Sequence, residues 1–573
     1  MNNQVISRIL SEIAIYLEMQ GVPFKPRAYE KASEVILGLD RDVGEIYKQE
    51  GIRALEEIPG VGKSIAEKIE ELIKTGKVKY HEDLRKKTPV NLEELRAVEG
   101  LGPKTIKMLY QKLKVRSLSD LEKTARSGKI SKLEGFGKKS EENILKGIEF
   151  IKKSGGRFVL GLVMPQIREI ELRLKRLPQV KKIDIAGSVR RRKETIGDAD
   201  ILIISDDSKP VMDFFVSMPE VSRVFAHGET KSAVKLKNGL DVDLRVLPEE
   251  SYGAGLNYFT GSKDHNVELR RIAINKGFKL NEYGLFKGNR RVFGRTEEEL
   301  YKALGLRYIE SELREMRGEI EAARADKLPN LVGYRDLKGD LQVQTNWTDG
   351  SNSIEEMAEA AMKMGLEYIA ITDHTKRLTI TNGLDEKRIQ KQWAEIDKVN
   401  KNLKKSGLKF TVLKGTECDI LKDGTMDLSD DILAKCDMVG ASVHSLFNLS
   451  KKDQTNRIKR VMSNPNVDII FHPTGRILNK RESYDVDMGE LISHAKKTGT
   501  ILEINASDRA DLKDEYIRRC VEQGVKMAID SDSHSVSHFE WLEYGIGQAR
   551  RGWAEKKDII NAWPLEKMFK MLK

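Results

Sequence analysis

Between Gly187 and Ile204 the chain reads GSVRRRKETIGDADILII: a Gly-Ser turn, three consecutive arginines, then two aspartates one residue apart at the head of an apolar run. The run DADILII is short and rich in β-branched residues, which predicts a strand. Side chains two apart on a strand share a face, so Asp198 and Asp200 point one way while Ala199 packs the other way. A second apolar stretch, LDVDLRVLP from Leu240, carries Asp241 and Asp243 at the same spacing. Paired beside the first, it would bring Asp243 to the same point. Three carboxylates beside a glycine turn and an arginine cluster join metal handling to phosphate handling, the two-metal arrangement of nucleotidyl transfer. An isolated D-x-D commonly just ends a solvated strand; the GS turn upstream and the aspartate downstream argue against that here.

A chain of 573 residues exceeds what one core can hold and predicts about three or four units. The net charge of +11 is carried by residues before 336, so the amino-terminal part is the part that meets a polyanion. Cys418, Cys436 and Cys520 form no C-x-x-C pair, and their odd number points to reduced thiols serving as packing. No apolar run approaches the ~20 residues of a membrane span, and Met1 to Gln20 lacks a leader pattern. The expectation is a cytoplasmic protein without a membrane partner.

The first 150 residues repeat a short element, an apolar residue flanked by glycines between two helical patterns: IPGVGKSIAEKI from Ile58, VEGLGPKTIKML from Val98 and LEGFGKKSEENI from Leu133. The glycines, Gly60 and Gly62, Gly100 and Gly102, Gly135 and Gly137, permit a tight turn and a close backbone approach. The following helix then offers its free N–H groups and positive dipole end to a phosphate. Such a helix-hairpin-helix unit holds DNA backbone without reading sequence. One copy is usually a mere connector; three in one basic segment predict a DNA grip.

From Arg157 short β-branched runs alternate with helices, the pattern of an α+β palm. Tyr252 to Phe293 is dense in glycine turns, aromatics and basic side chains. Glu310 to Lys327 reads as a charge-rich solvated helix, followed by a linker. Beyond it strand-like pieces (YIAITDHT, FTVLKGTECDI, MVGASVHS, DIIFHPTGR, TILEINAS, KMAIDSDSH) alternate with helices, implying parallel β/α units around a barrel-like core with polar residues at the strand ends.

The motifs GSVRR, GDADILI, VDLRVLP and YFTGS…HN…R resemble those of family X DNA polymerases, the group that includes DNA polymerase beta, over residues 1 to about 315. Residues 337 to 573 resemble a PHP (polymerase and histidinol phosphatase) domain. The fold class expected is multidomain: an α-helical helix-hairpin-helix region, an α+β nucleotidyltransferase palm and a C-terminal α/β distorted barrel. The expected division is 1–85 (first hairpin), 86–150 (two further hairpins), 151–250 (palm), 251–320 (nucleotide-selecting subdomain), 321–336 (linker) and 337–573 (PHP). By the resemblance Asp198, Asp200 and Asp243 hold Mg²⁺ or Mn²⁺, with Asp241 a neighbour only. Gly187, Ser188, Arg191 and Gly197 hold the triphosphate, Tyr258, Phe259 and Gly261 line the sugar, Asn266 meets the base edge and Arg270 the template strand. The stretch Lys263 to His265 is more polar than in polymerase beta, and Lys263 and His265 are read as phosphate contacts instead. Lys68 matches a Schiff-base lysine that implies 5′-deoxyribose phosphate lyase activity, with Lys63 as the cation lowering its pKa. K⁺ or Na⁺ accompanies such hairpins.

PHP domains hold about three divalent ions, beginning with an H-x-H pair on the first strand. This chain has Gln342 and Gln344 there, while Asp349, His374, Glu417, His444, His472, Asp532 and His534 keep the other positions. A neutral amide is a poor ligand for Zn²⁺ or Mn²⁺, so the 3′–5′ exonuclease activity implied by the resemblance is expected to be weak or lost. The expectation as a whole is a prokaryotic, nucleoid-associated, monomeric DNA polymerase filling short gaps in repair, with gapped or primer-template DNA and deoxynucleoside triphosphates as partners. Untemplated nucleotidyl transfer and a DNA-tethered PHP nuclease or phosphoesterase are the other enzymatic readings. A purely structural DNA-binding module would leave the three aspartates without a purpose.

Overall fold

The amino-terminal helices close over a continuous apolar cluster from Ile6 to Ile148. A computed structural model describes every residue except Met1, Asn2, Gly38, Asp40, Ala97, Glu99, Gly100, Glu134, Ser154 and Gly155. The expected hairpin glycine Gly100 thus lies outside the described residues. The helices that follow the hairpins are α1 (Lys63–Thr75), α2 (Pro103–Leu113) and α3 (Lys138–Lys153). In α1 the residues Ile65, Ala66, Ile69 and Leu72 recur at three- and four-residue spacing and are buried, leaving the charged positions outside.

The palm is a five-stranded sheet of β1 (Lys182–Ile185), β2 (Asp198–Ile204), β3 (Val221–His227), β4 (Lys231–Leu236) and β5 (Asp241–Leu247), in the order β1-β2-β5-β4-β3. Only β2 and β5 run parallel. The alternation of a strand decides what each face carries. Ala199, Ile201 and Ile203 of β2, with Val242, Leu244 and Val246 of β5, pack under α4 (Leu160–Lys175) and α5 (Ser208–Val216). Leu202, Ile204 and Leu247 face the other way, against Leu256 of α6 (Tyr252–Thr260). The aspartates share that second face.

Beyond α6 come α7 (Lys263–Asn275), a three-stranded antiparallel sheet and α8 (Glu297–Ala303), with a core that also takes in Trp553 from the carboxy-terminal part. Glu310 to Lys327, read from its alternating charges as a solvated helix, is instead a short 3₁₀ turn and a six-residue helix whose Glu312, Arg314 and Glu319 are buried. Each of these charges has a partner in another element: Glu312 takes Arg550 (2.7 Å), Arg314 takes Glu297 (2.6 Å) and Glu319 takes His265 (2.8 Å). Pairing of this kind makes burial of charge tolerable.

The carboxy-terminal part holds two parallel sheets. One is β6 (Gly339–Val343), β7 (Tyr368–Ile371) and β8 (Thr411–Lys414). The other is β9 (Glu417–Asp419), β10 (Gly440–Ser442), β11 (Ile469–Ile470), β12 (Ile501–Asn505) and β13 (Met527–Asp530). Single parallel bridges join the two into a distorted ring: Val343 to Ser533 links their edge strands β6 and β13, and His374, just past β7, meets Glu417 of β9. Helix α9 (Leu542–Arg551) leaves this ring and packs toward the palm. Among the described residues no helix is long and apolar enough to cross a membrane.

Candidate nucleotide and metal sites

The parallel register of β2 and β5 sets Asp198 opposite Asp241 and Asp200 opposite Asp243. Because these positions share a face, the carboxylates collect at one end of the sheet, under the Gly-Ser turn. Gly187 has φ +61°, and a Cβ there would lie 2.2 Å from Asp200 Oδ2, so only glycine brings the turn this close. Burial, with the charges of Asp198 and Asp243 beside it, pushes the Asp200 carboxyl up to about 7. Lys231 Nζ lies 2.8 Å from Asp243 Oδ2, and Lys235 Nζ lies 2.6 Å from Asp241 Oδ1. A cluster of acids that raises its own member's pKa and draws in a lysine is a donor set suited to divalent cations.

Asp198 and Asp200 open on a cleft of about 360 Å³ whose other walls include Gly187, Ser188, Arg191, Tyr258, Phe259, Gly261, Asn266 and Arg270. Thr260 and Lys263 line it too; Thr260 carries no signal in the sequence that separates it from its neighbours. Asp243 reaches the cleft only through its partner Asp200, and Gly197 does not line it; a Cβ at Gly197 would meet only Arg157 Nη1 at 3.6 Å. Ser188 Oγ and Asn266 Oδ1 are buried there without a hydrogen-bond partner. Asn266 Nδ2 donates to Tyr258 O (2.7 Å), and the half-buried Tyr258 and Phe259 rings meet edge to face at 5.1 Å. The reading of His265 as a phosphate contact is overturned: the ring is fully buried between Glu319 (2.8 Å) and Tyr301 (2.9 Å).

The three consecutive arginines go three ways. Arg190 makes a two-pronged pair with Glu297 (3.0 and 2.6 Å), Arg191 lines the cleft, and Arg192 Nη2 pairs with Glu543 of α9 (2.5 Å). Sequence marks the cluster, but the partners that divide it lie more than 100 residues onward.

The hairpins share one bond: Val61 N–H donates to Ile58 O (2.9 Å), Leu101 to Val98 O (3.2 Å) and Phe136 to Leu133 O (3.0 Å). Gly60 and Gly135 hold φ +80° and +83°, while Gly62 and Gly102 begin α1 and α2 with no side chain capping the first N–H groups. Around Gly62, Gly102, Gly135 and Gly137 an added Cβ meets nothing within 4 Å. Lys68 Nζ donates to Ser64 O (2.9 Å) and Oγ (3.0 Å) and lies 5.1 Å from the centre of the Tyr80 ring.

In the barrel the polar residues gather at the carboxyl ends of the strands, as the parallel arrangement dictates. Asp349, His374 and His534 form one set of close ligand atoms, and His374, Glu417 and His444 another. Glu417 also meets His472 Nε2 at 2.9 Å. Burial opposes charge on His444 and His534, yet Glu417 and Asp419 push the first up to about 9, and Asp349 and Asp532 do the same for the second. Asp532 lies beside the first set, its Oδ1 3.8 Å from His534 Nδ1, while its Oδ2 faces Arg509 Nε (3.4 Å) and Asn505 Nδ2 (3.2 Å). Gln342 Oε1 accepts from Asn505 Nδ2 (3.1 Å), and Gln344 Nε2 donates to Glu417 Oε2 (2.8 Å). At the two positions where the resemblance expects imidazoles, each amide is bonded at one end only: Gln342 Nε2 and Gln344 Oε1 are buried without a hydrogen-bond partner. Arg509 and Asn505 were not foreseen; the run LEINAS flags a buried strand but not which way its asparagine turns.

Sheet, cleft and ring describe a nucleotide-binding palm joined to an α/β ring with clustered metal-ligating side chains. Residues 1–78 match a helix-hairpin-helix domain, 92–149 a SAM-like helix-hairpin-helix tandem, 255–315 the DNA polymerase beta thumb and 340–562 the PHP domain. The DNA polymerase/3′-5′ exonuclease PolX of Bacillus subtilis is 38% identical over 580 residues, 100% of both chains. DNA polymerase lambda of Arabidopsis thaliana is 28% identical over 54% of this chain and 61% of its own, and a probable phosphatase of a Thermoanaerobacter species is 32% identical over 33% and 76%. The chain belongs to the PolX family.

Proposed function

We propose that this protein is a template-directed DNA polymerase that fills short gaps during repair. The observation that carries the reading is the register that sets Asp200 beside Asp243 at the foot of a cleft walled by Ser188, Arg191 and Asn266. Asp198, Asp200 and Asp243 would hold Mg²⁺ or Mn²⁺, which when bound supply activation of the primer 3′-hydroxyl and charge neutralisation on the departing pyrophosphate. Arg191 and the Ser188 hydroxyl suit the triphosphate oxygens, and Tyr258, Phe259 and Gly261 the sugar. Asn266 and Arg270 would meet the base edge and the template. The open hairpin glycines would approach DNA backbone, with K⁺ or Na⁺ beside them. We divide the chain at 85, 150, 250, 320 and 336, and read it as a monomer working at the nucleoid of a prokaryotic cytoplasm. Extension of a primer across a one-nucleotide gap with each deoxynucleoside triphosphate singly tests the reading: incorporation should follow the template base, and incorporation indifferent to it would leave an untemplated transferase.

For the PHP domain, two ligand sets remain for Zn²⁺ or Mn²⁺, while Asp532 is engaged by Arg509 and the histidine pair is replaced by Gln342 and Gln344. We infer that 3′-end degradation is weak or lost. Gln342→His with Gln344→His should raise bound metal per chain, read by elemental analysis. Robust degradation by the unaltered protein, abolished by His374→Ala or Asp532→Ala, would contradict the inference. Lyase activity at Lys68 is tested by borohydride trapping on a 5′-deoxyribose phosphate end: an adduct absent from Lys68→Ala supports it, and no adduct with the unaltered protein ends it.

A further inference from the structure

The arginine on the nucleotide cleft is held by two groups of the thumb region, and one of these is held in turn by the PHP domain. Arg191 Nη1 donates to Thr260 O, and its Nε donates to Glu315 Oε1 at 3.0 Å. The same Glu315 oxygen receives Arg551 Nη1 at 3.0 Å, and that Nη1 also donates to the main-chain oxygen of Arg191 at 2.9 Å. Arg551 is itself fixed, because its Nη2 donates to Asp514 Oδ2 at 2.8 Å and its side chain is 4% exposed. It stands at the end of α9, the helix whose Glu543 takes Arg192 and whose Gln548 Nε2 donates to Arg192 O at 3.2 Å. Burial alone would raise the Glu315 carboxyl, yet Arg551 and Arg191 bring it below its usual value, so it stays charged between them. A guanidinium on a flexible stem loses much rotamer freedom when fixed, and an ion pair that fixes it beforehand spares a ligand that cost.

We propose that Arg551 of the PHP domain, acting through Glu315 and the main chain of Arg191, positions the Arg191 guanidinium for the triphosphate tail, so that the barrel is a working part of the polymerase site whatever its own chemistry. This rests on the reading of Arg191 as a triphosphate contact. Arg551 and Glu315 are positioning residues, since neither lines the cleft.

The test is single-nucleotide gap filling by the full-length protein, with KM for the nucleotide and kcat measured separately for Arg191→Ala, Arg551→Ala, Arg551→Lys, Glu315→Gln and Glu194→Gln. Glu194 pairs with Arg476 across the same interface (3.1 and 2.6 Å) and has no part in the relay, so its loss weakens docking alone. Arg551→Ala and Glu315→Gln should raise KM roughly tenfold with kcat within about twofold, as expected for lost ground-state positioning, and Arg551→Lys should restore part of the affinity. Glu194→Gln should leave KM unchanged. A KM unchanged in soluble, folded Arg551→Lys and Glu315→Gln, while Arg191→Ala raises it, would overturn the relay. A KM raised equally by Glu194→Gln would overturn it too, reducing it to docking. A KM unchanged in Arg191→Ala would instead remove the underlying reading of that arginine.

Discussion

The carboxylate cluster depends on single contacts that allow no substitute. Gly187→Ala would drive a methyl group into Asp200 Oδ2 at a backbone angle that side chains avoid. Displacing a reacting group by about 1 Å can cost about a hundredfold in rate, so extension should fall by that order, while the strained turn lowers the melting temperature by roughly a few degrees. Gap-filling rates and thermal melts of the variant check this. Glu297, buried between Arg190 and Arg314, shows the structural use of charge: burial would raise its carboxyl, and the two guanidinium groups bring it down to about 2. A depressed carboxyl contributes stability that is present above about 4.5 and fades as pH falls through about 2. Glu297→Ala, which strands the buried Arg314 and the half-buried Arg190, should cost about 3 kcal/mol at pH 7, and the gap to the unaltered protein should narrow below pH 4.5 in urea titrations. The aspartates were legible because strand periodicity reports facing directly. Glu297 was not, because nothing local in TEEEL says which glutamate turns inward.

Elements differ in how much of their role is written locally. The hairpins were legible because the turn, the glycines and the following helix lie within a dozen residues, and the structure repeats one hydrogen bond in each. Gly62→Ala with Gly102→Ala adds a methyl group to two open surfaces, where a Cβ meets nothing within 4 Å. The pair should weaken binding of gapped duplexes of unrelated sequence to the same extent, by roughly tenfold, and flatten the dependence on salt; fluorescence anisotropy across a salt series measures both. The connector after Ile309 was misread for the opposite reason. Its alternating charges look solvated, and only the folded molecule supplies Arg550, Glu297 and His265 to bury them.

At the scale of the molecule the sequence announced two enzymatic parts but not their union. Trp553 enters the core behind α7 and α8, and α9 takes hold of Arg191 and Arg192 beside the palm. Contacts between segments 350 residues apart leave no periodic trace for a reader of the chain. The ring of strands was readable as β/α alternation, whereas the turn of Asp532 toward Arg509 was not. The central claim is that the acids of β2 and β5 act as one centre for nucleotide transfer. Its most direct test is Asp243→Asn, measured for nucleotide incorporation and for affinity toward the same gapped duplex. Incorporation should drop by at least about a thousandfold with DNA affinity within about twofold, as for loss of a group acting only in the transition state. Incorporation near the level of the unaltered protein would contradict the account.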